Sequence, residues 1–239
     1  MTETWPEARA RLVRTAVSIG VASGAYGISL GALGVAAGLS VTQTCAMSLL
    51  VFTGGSQFAL VGVIGGGGAA ASGAASAILL GVRNGVYGVR LAPLLRLRGL
   101  GRFVGAQLVI DESTAVALSG ETVGGGLGTR AGRLGFWATG LAVFVLWNLA
   151  TLVGAIAGDA VGDPRTYGLD AAAPAAFLAL LAPRLDNRPA WVIAVVAAVV
   201  AVAVVPLVPA GVPVLVAALV PVVSVLARRT RPPAEREAT

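Results

Sequence analysis

The polar residues that could do chemistry lie inside long apolar stretches of the chain. Residues 52–58 have the sequence Phe-Thr-Gly-Gly-Ser-Gln-Phe in the middle of such a stretch. Adjacent glycines destabilise a helix, and unwound backbone at membrane depth is tolerated only where it is buried in protein or lines a cavity. We therefore expect a polar binding site here, formed by Thr53, Gly54, Gly55, Ser56 and Gln57. The alternative is a small-residue packing face in which Gln57 bonds across helices.

The charged residues that most require a functional or structural explanation are Arg83 and the adjacent acids Asp111 and Glu112. An arginine near the middle of a membrane span costs at least ~2.5 kcal/mol, so Arg83 needs a partner or a wet cavity. The two acids are candidate partners, and a carboxylate inside a membrane is also a natural proton carrier. The sequence thus predicts a coupling site or an ion pair at these three residues. A purely structural ion pair, or acids at the interface of a short re-entrant segment, are the alternatives.

Asn148 is the remaining polar residue deep in an apolar run, where it follows Trp147. It could form part of the wall of a binding cavity, and it is included among the candidate substrate-binding residues. The favoured alternative is an interhelical hydrogen bond with no contact to substrate.

The elements that must position these residues are membrane-spanning helices. No charge occurs from Thr15 to Val82, a run of 68 positions, which is ~100 Å of helix against a bilayer core of ~30 Å. Only 12% of the residues are charged, about half the share in soluble domains. We predict an all-α polytopic membrane helix bundle of about seven or eight segments, some of them broken or re-entrant. A soluble core is the disfavoured alternative.

The charge-free runs divide the chain into an N-terminal tail, a transmembrane domain and a C-terminal tail. Residues 1–14 are interpreted as a retained cytoplasmic N-terminal tail, 15–227 as a single transmembrane domain, and 228–239 as a cytoplasmic C-terminal tail. A faint similarity between residues 27–38 and 152–158 suggests that the two halves could form an inverted repeat, as in many transporters. The predicted segments are 15–39, 42–64, 69–93, 103–120, 134–158, 168–183, 189–206 and 209–227.

The arginines conflict with a simple count of crossings. Positive residues favour the cytoplasmic side, and both tails carry arginines there. Three full crossings after a cytoplasmic N-terminus would put the next cluster, Arg96, Arg98 and Arg102, outside. Either one of the first three segments fails to cross completely, or the N-terminus is external.

Several function classes are excluded by what the sequence lacks. It contains no histidine, which rules out histidine metal ligands, bases and proton relays, and its single cysteine, Cys45, allows no disulfide within the chain. There is no Walker-type loop and no nucleophile–base set. We expect no catalytic residues, no metal and no cofactor, and therefore no enzyme.

Four blocks in order resemble the AzlC family, the large subunit of bacterial branched-chain amino acid exporters. Residues 51–58 are similar to the family's Phe-Ala-Gly-Ala-Ser-Gln-Phe, and residues 82–88 to its Arg-His-x-Leu-Tyr-Gly. Asp111-Glu112 matches an Asp-Glu pair, and residues 168–180 match a late Leu-Asp…Pro-Ala-x-Phe block. The resemblance covers roughly residues 15–205.

The resemblance implies export of L-valine and related aliphatic amino acids across the bacterial plasma membrane, with a small AzlD-type membrane subunit as partner. It implies an ion gradient as the energy source, with protons favoured. It also adds Asn84, Tyr87 and Pro174 to the candidate substrate-binding residues. The sequence departs from the family at Asn84, often a histidine there, and at Gly81, which shifts the expected coupling role to Asp111 and Glu112.

Two other functions remain open at the level of sequence. A general small-solute permease or channel could use the same scaffold, and efflux insensitive to an uncoupler would favour it. A membrane-embedded enzyme or an assembly protein is the third hypothesis, and the missing catalytic set argues against the enzyme.

Overall fold

The computed structural model describes residues 3–123, 126–161, 175, 178, 181–208 and 212–229. Regular structure in this part of the chain is helical throughout. The helices are α1 (Trp5–Ala36), α2 (Val41–Leu50), α3 (Gly54–Gly65), α4 (Ala70–Leu95), α5 (Leu100–Gln107), α6 (Asp111–Glu121), α7 (Gly128–Val161), α8 (Arg188–Val204), α9 (Val212–Ala217) and α10 (Leu219–Arg229), with 3₁₀ turns at Ala182–Arg184 and Val205–Leu207.

Three of the described helices are long and apolar enough to cross a membrane, namely α1, α7 and α8 extended to Leu207. Several shorter apolar helices accompany them. This agrees with the all-helical membrane fold predicted from the sequence, and it indicates a multi-pass membrane protein. The predicted segment 168–183 lies mostly outside the described residues.

Helices α1 and α7 are parallel and form the central pair of the bundle. Gly20 lies against Ala142 near the start of the contact, and Gly31 lies against Ala155 near its end. Small residues allow such close approach between membrane helices. The two stretches thought to be an internal repeat, 27–38 and 152–158, thus pack against each other.

Helix α1 begins at Trp5, ten residues before the predicted first segment. Thr4 and Glu7 form a capping box in which the Glu7 carboxylate accepts from the Thr4 N–H at 2.9 Å, and Pro6 occupies the first turn. These residues favour a helix start, so most of the predicted tail 1–14 is helical.

The predicted segment 42–64, with unwound backbone expected at its glycines, is a hairpin of two half-helices. The backbone turns at residues 51–53. Helix α2 starts beside the end of α1, where Thr44 contacts Gly34, and α3 returns to that same end, where Gly65 lies against Ala37. The α2–α3 hairpin therefore enters and leaves the bundle at one end.

The predicted segment 103–120 is also a hairpin rather than one helix. Residues 108–110 separate α5 from α6, and α6 runs back antiparallel to α7, with Leu108 against Gly140 and Gly120 against Gly132. The α5–α6 hairpin thus enters from the end opposite to the α2–α3 hairpin. The two tips meet where the Gln107 amide donates to the Leu49 carbonyl oxygen at 2.8 Å.

One end of the bundle, here called the arginine-rich end, holds the starts of α1, α5 and α7 and the ends of α4 and α6. The Arg130 guanidinium lies 3.9 Å from the Trp5 ring centroid, and Arg133 donates to the Leu94 carbonyl oxygen at 2.8 Å. The connections at the opposite end, residues 37–40 and 66–69, carry no charge. The N-terminal arginines and the cluster at Arg96 therefore lie at the same end, which resolves the conflict found in the sequence.

Labelling of single cysteines would test this arrangement. In a Cys45→Ala background, Arg9→Cys and Arg98→Cys should react with a membrane-impermeant maleimide from the same side of the membrane. Three complete crossings before residue 98 would instead place the two labels on opposite sides. Intact and inside-out vesicles distinguish the two results.

Candidate functional site

A cavity of about 600 Å³ lies where the two hairpin tips meet. Its wall combines both tips, the middle of α1, α4 and α7, and the segment before α8. The lining residues are Ser23, Tyr26, Phe52, Thr53, Gly54, Gly55, Phe58, Leu80, Arg83, Ile110, Asp111, Glu112, Ala115, Val143, Trp147, Leu181 and Arg184.

The tip of the α2–α3 hairpin is fixed by the buried Gln57. Its amide nitrogen donates to the carbonyl oxygens of Val51 at 2.7 Å and Ser48 at 3.1 Å, which are the groups freed by the end of α2. Its amide oxygen accepts from the Trp147 indole N–H at 2.9 Å. Ser56 donates to the Ala77 carbonyl oxygen at 2.7 Å and attaches the tip to α4. These two polar side chains hold the unwound backbone open toward the cavity.

The first turn of α3 lines the cavity with Gly54 and Gly55. Thr53 precedes the helix without a side-chain capping bond, and the first N–H groups of any helix lack intrahelical acceptors. A Cβ at Gly55 would lie 3.3 Å from Arg83 Nη2, so the arginine is close to this turn. A helix N-terminus and a guanidinium together make an anion-binding surface.

The tip of the α5–α6 hairpin is fixed by Ser113. Its hydroxyl donates to the Leu108 carbonyl oxygen at 2.6 Å, and its oxygen accepts from the Ile110 N–H at 3.1 Å. The adjacent acids then begin α6, where the positive end of the helix dipole favours negative side chains. The acids lie at a helix start rather than at the centre of a continuous segment.

Asp111 forms ion pairs with two arginines. Its Oδ2 lies 3.0 Å from Arg83 Nη1 and 3.2 Å from an Arg184 nitrogen. About two thirds of the Arg83 and Asp111 side chains are covered, whereas Arg184 is more exposed. Tyr87 lies near the same carboxylate. Arg184 thereby ties the segment before α8 to the cavity.

Glu112 lies in the same wall but has no arginine partner among the described residues. Its Oε1 accepts from the Ser23 hydroxyl at 3.3 Å, which is a long hydrogen bond. The two neighbouring carboxylates therefore differ: Asp111 pairs with two guanidinium groups, and Glu112 pairs with no cation among the described residues.

The rest of the wall is apolar and aromatic. Phe52 packs edge-on against Phe144 with ring centroids 4.9 Å apart, and Phe58 packs edge-on against Trp147 at 6.3 Å. Val143 and Ile110 add aliphatic surface. The site can therefore hold a ligand with a charged head and a branched or linear hydrocarbon tail.

The predicted site residues fall into four groups. Thr53, Gly54, Gly55, Arg83, Asp111 and Glu112 line the cavity, and Ser56, Gln57 and Tyr87 support it from outside its lining. Asn84 and Asn148 lie outside the lining, each with a buried side-chain oxygen that lacks a partner. Pro174 lies outside the described residues.

Four lining residues with a polar or charged group were not predicted as part of the site: Ser23, Tyr26, Trp147 and Arg184. Ser23 and Tyr26 are isolated polar residues in the first long run, and Trp147 was noted only as the neighbour of Asn148. Arg184 was used only as a topology marker, although an arginine next to an apolar segment is also a candidate partner for an acid. In the part of the chain that the structure describes, no group of three potential metal ligands occurs.

The chain is similar to a known protein family. A family model described as AzlC protein matches residues 18–161, which is more than half of the chain and includes both hairpins. No curated protein and no solved structure matches the chain.

Proposed function

The chain belongs to the AzlC family, and from that premise we propose that it is the large subunit of a secondary transporter that exports branched-chain amino acids such as L-valine. AzlC proteins are transporters rather than enzymes. The observation that carries the proposal is the cavity between the hairpin tips, with its charged half and its apolar half. An AzlD-type small subunit is the proposed partner, and the bacterial plasma membrane is the proposed location.

The cavity supports an amino acid as the substrate. The uncapped start of α3 and Arg83 are the proposed site for the carboxylate, because both supply donors and positive potential. Glu112 is the proposed site for the ammonium group, since no arginine among the described residues neutralises it. The aliphatic side chain would then lie against Phe52, Val143 and Trp147.

Proton coupling follows from the same carboxylate. A group that accepts either the substrate ammonium or a proton makes the two compete, and such competition drives exchange of one for the other. Hairpins that enter from opposite ends also support an inverted repeat of α2–α4 with α5–α7, and such repeats underlie alternating access in many transporters. The arginine-rich end is proposed as cytoplasmic by the positive-inside rule.

An efflux assay tests the proposal. Bacteria that produce this chain and its partner, loaded with valine from a valine-containing dipeptide, should release valine several times faster than control cells, and an uncoupler should remove the gain. Unchanged valine and leucine efflux would contradict the proposal. Efflux that persists with the uncoupler would favour the second candidate, a general permease or channel.

Gly54 provides a sharp mutational test of the cavity. A Cβ at this position would lie 2.9 Å from Trp147 Cη2, and the indole cannot move freely because it is buried and bonded to Gln57. Gly54→Ala should lower valine efflux about tenfold, as expected for overpacking by more than a kilocalorie per mole. Gly85→Ala is the matched control, since a Cβ there meets nothing within 4 Å. Equal efflux in both variants would mean that the substrate does not bind in this cavity.

A further inference from the structure

A second cavity, of about 430 Å³, lies at the arginine-rich end between the end of α4 and α5. Leu91, Leu95 and Val109 contribute its apolar wall, and three arginines, Arg96, Arg98 and Arg102, surround it. It shares no lining residue with the cavity at the hairpin tips. The proposed transport site therefore does not account for it.

The turn from α4 into α5 builds this cavity. Arg96 ends α4 in the left-handed region with φ 49°, and Gly99 follows with φ 54°. Leu97 folds inward onto Gly105, where a Cβ would collide with its side chain. This turn places the arginines on both sides of Leu97 at one opening, together with Arg102 from the first turn of α5.

Two of the other arginines at this end form ion pairs within the chain, whereas among the described residues Arg9 and Arg14 form none. Arg11 pairs with Glu3 at 2.9 Å, and Arg90 pairs with Glu121 at 3.1 Å. Within the cluster, Arg96 donates only to the Pro93 carbonyl oxygen at 3.3 Å. Among the described residues, no acid lies within ion-pair distance of the cluster at Arg96, Arg98 and Arg102. The positive charge around this cavity is therefore left for an anion from outside the chain.

The surroundings indicate which anion fits. Leu100 and Phe103 on α5 are 83% and 76% exposed, so the cavity borders a strongly apolar outer surface that suits hydrocarbon. Guanidinium groups match the geometry of phosphate oxygens, and basic pockets between membrane helices on the cytoplasmic side recognise acidic lipid head groups. We propose that this cavity binds the head-group phosphate of an anionic phospholipid, with an acyl chain along the exposed Leu100 and Phe103.

Lipid binding to the full chain in detergent tests the proposal. Native mass spectrometry would measure the apparent affinity for phosphatidylglycerol, with phosphatidylcholine as the zwitterionic comparison. The double variant Arg98→Gln/Arg102→Gln should weaken phosphatidylglycerol binding about tenfold or more, since each arginine near an anionic surface contributes about a fivefold gain. The control Arg9→Gln/Arg14→Gln removes the same charge at the same end and should change binding less than twofold.

A charge-neutral variant distinguishes lipid binding in the cavity from general electrostatic attraction of anionic lipid to the arginines. Ala106→Phe fills the cavity from α5 and should also weaken phosphatidylglycerol binding, while monodisperse elution shows that the chain remains folded. Equal weakening by both double variants, or equal wild-type affinity for the two lipids, would overturn the proposal. Displacement of phosphatidylglycerol by millimolar inorganic phosphate would overturn it too, because the site would then recognise free phosphate.

Discussion

Glu112→Gln is expected to abolish uphill export of valine while the chain remains in the membrane. Asp111 already holds Arg83 and Arg184, whereas Glu112 accepts only a long hydrogen bond from Ser23 among the described contacts. The carboxylate is therefore the group in the cavity that can take a proton or an ammonium ion in turn. An amide keeps the shape and an acceptor oxygen but cannot carry the proton.

Exchange measurements distinguish coupling from simple loss of the site. In proteoliposomes that contain the transporter, the wild-type chain should catalyse valine counterflow and should also accumulate valine when a proton gradient is imposed. The charged groups that line the same cavity, Arg83, Arg184 and Asp111, are unaltered in the variant. Glu112→Gln should keep weakened counterflow but lose accumulation driven by the proton gradient. Retained uphill export would refute the coupling role.

Asp111→Asn is the informative comparison for that variant. It leaves two guanidinium groups without their anion, and a partly buried charge without its partner is costly. We expect the free energy of unfolding to fall by about 1–3 kcal/mol, in addition to reduced transport. The two adjacent carboxylates should thus give different phenotypes, with stability lost mainly at Asp111 and proton dependence lost at Glu112.

The sequence could predict the α2–α3 tip but not the α5–α6 tip, for a physical reason. Gly54 and Gly55 destabilise a helix locally, and an incomplete crossing among the first segments was one of two interpretations of the arginine pattern. Residues 107–110, Gln-Leu-Val-Ile, contain no glycine or proline that would interrupt a helix. There the break is stabilised by the Ser113 hydroxyl and by the long-range hydrogen bond from Gln107 to Leu49, and local propensity carries no information about the long-range contact.

The composition of the cavity was predictable at the adjacent glycines of the α2–α3 tip and at charged residues that required a partner. Arg83 had to find an anion or water, and the adjacent acids were the natural candidates. The contribution of Trp147 depends on α7 facing the α2–α3 tip, which requires the helix arrangement itself. Asn84 and Asn148 show the converse, because a polar residue in an apolar run can lie outside the cavity.

Among the glycines of α1, Gly31→Ala is expected to have the largest effect on stability. On α1 the glycines at 20, 24, 27 and 31 share the face that meets α7, and a Cβ at Gly31 would overlap the Thr151 carbonyl and lie 2.5 Å from the Ala155 nitrogen. Both are backbone groups of a long helix, so neither can yield without separating the pair. Overpacking of this kind costs about 3 kcal/mol, and close packing is a main force that holds membrane helices together.

The effect should be graded along the interface. A Cβ at Gly27 would lie 2.6 Å from the Trp147 carbonyl oxygen, and one at Gly24 would lie 3.2 Å from Leu146 Cβ. The melting temperature, followed by size-exclusion chromatography after heating, should therefore fall most for Gly31→Ala, less for Gly27→Ala and least for Gly24→Ala. Gly85→Ala should be neutral or stabilising, because it only improves helix propensity.

Valine transport should decrease in the same order of variants, because the interface between α1 and α7 sets the width of the cavity. Helix α1 contributes Ser23 and Tyr26 to the wall, and α7 contributes Val143 and Trp147. Separating the pair moves the partner of Glu112 away from the aromatic surface proposed to hold the substrate side chain. Equal melting temperatures for Gly31→Ala and Gly85→Ala would contradict the packing on which both hairpins depend.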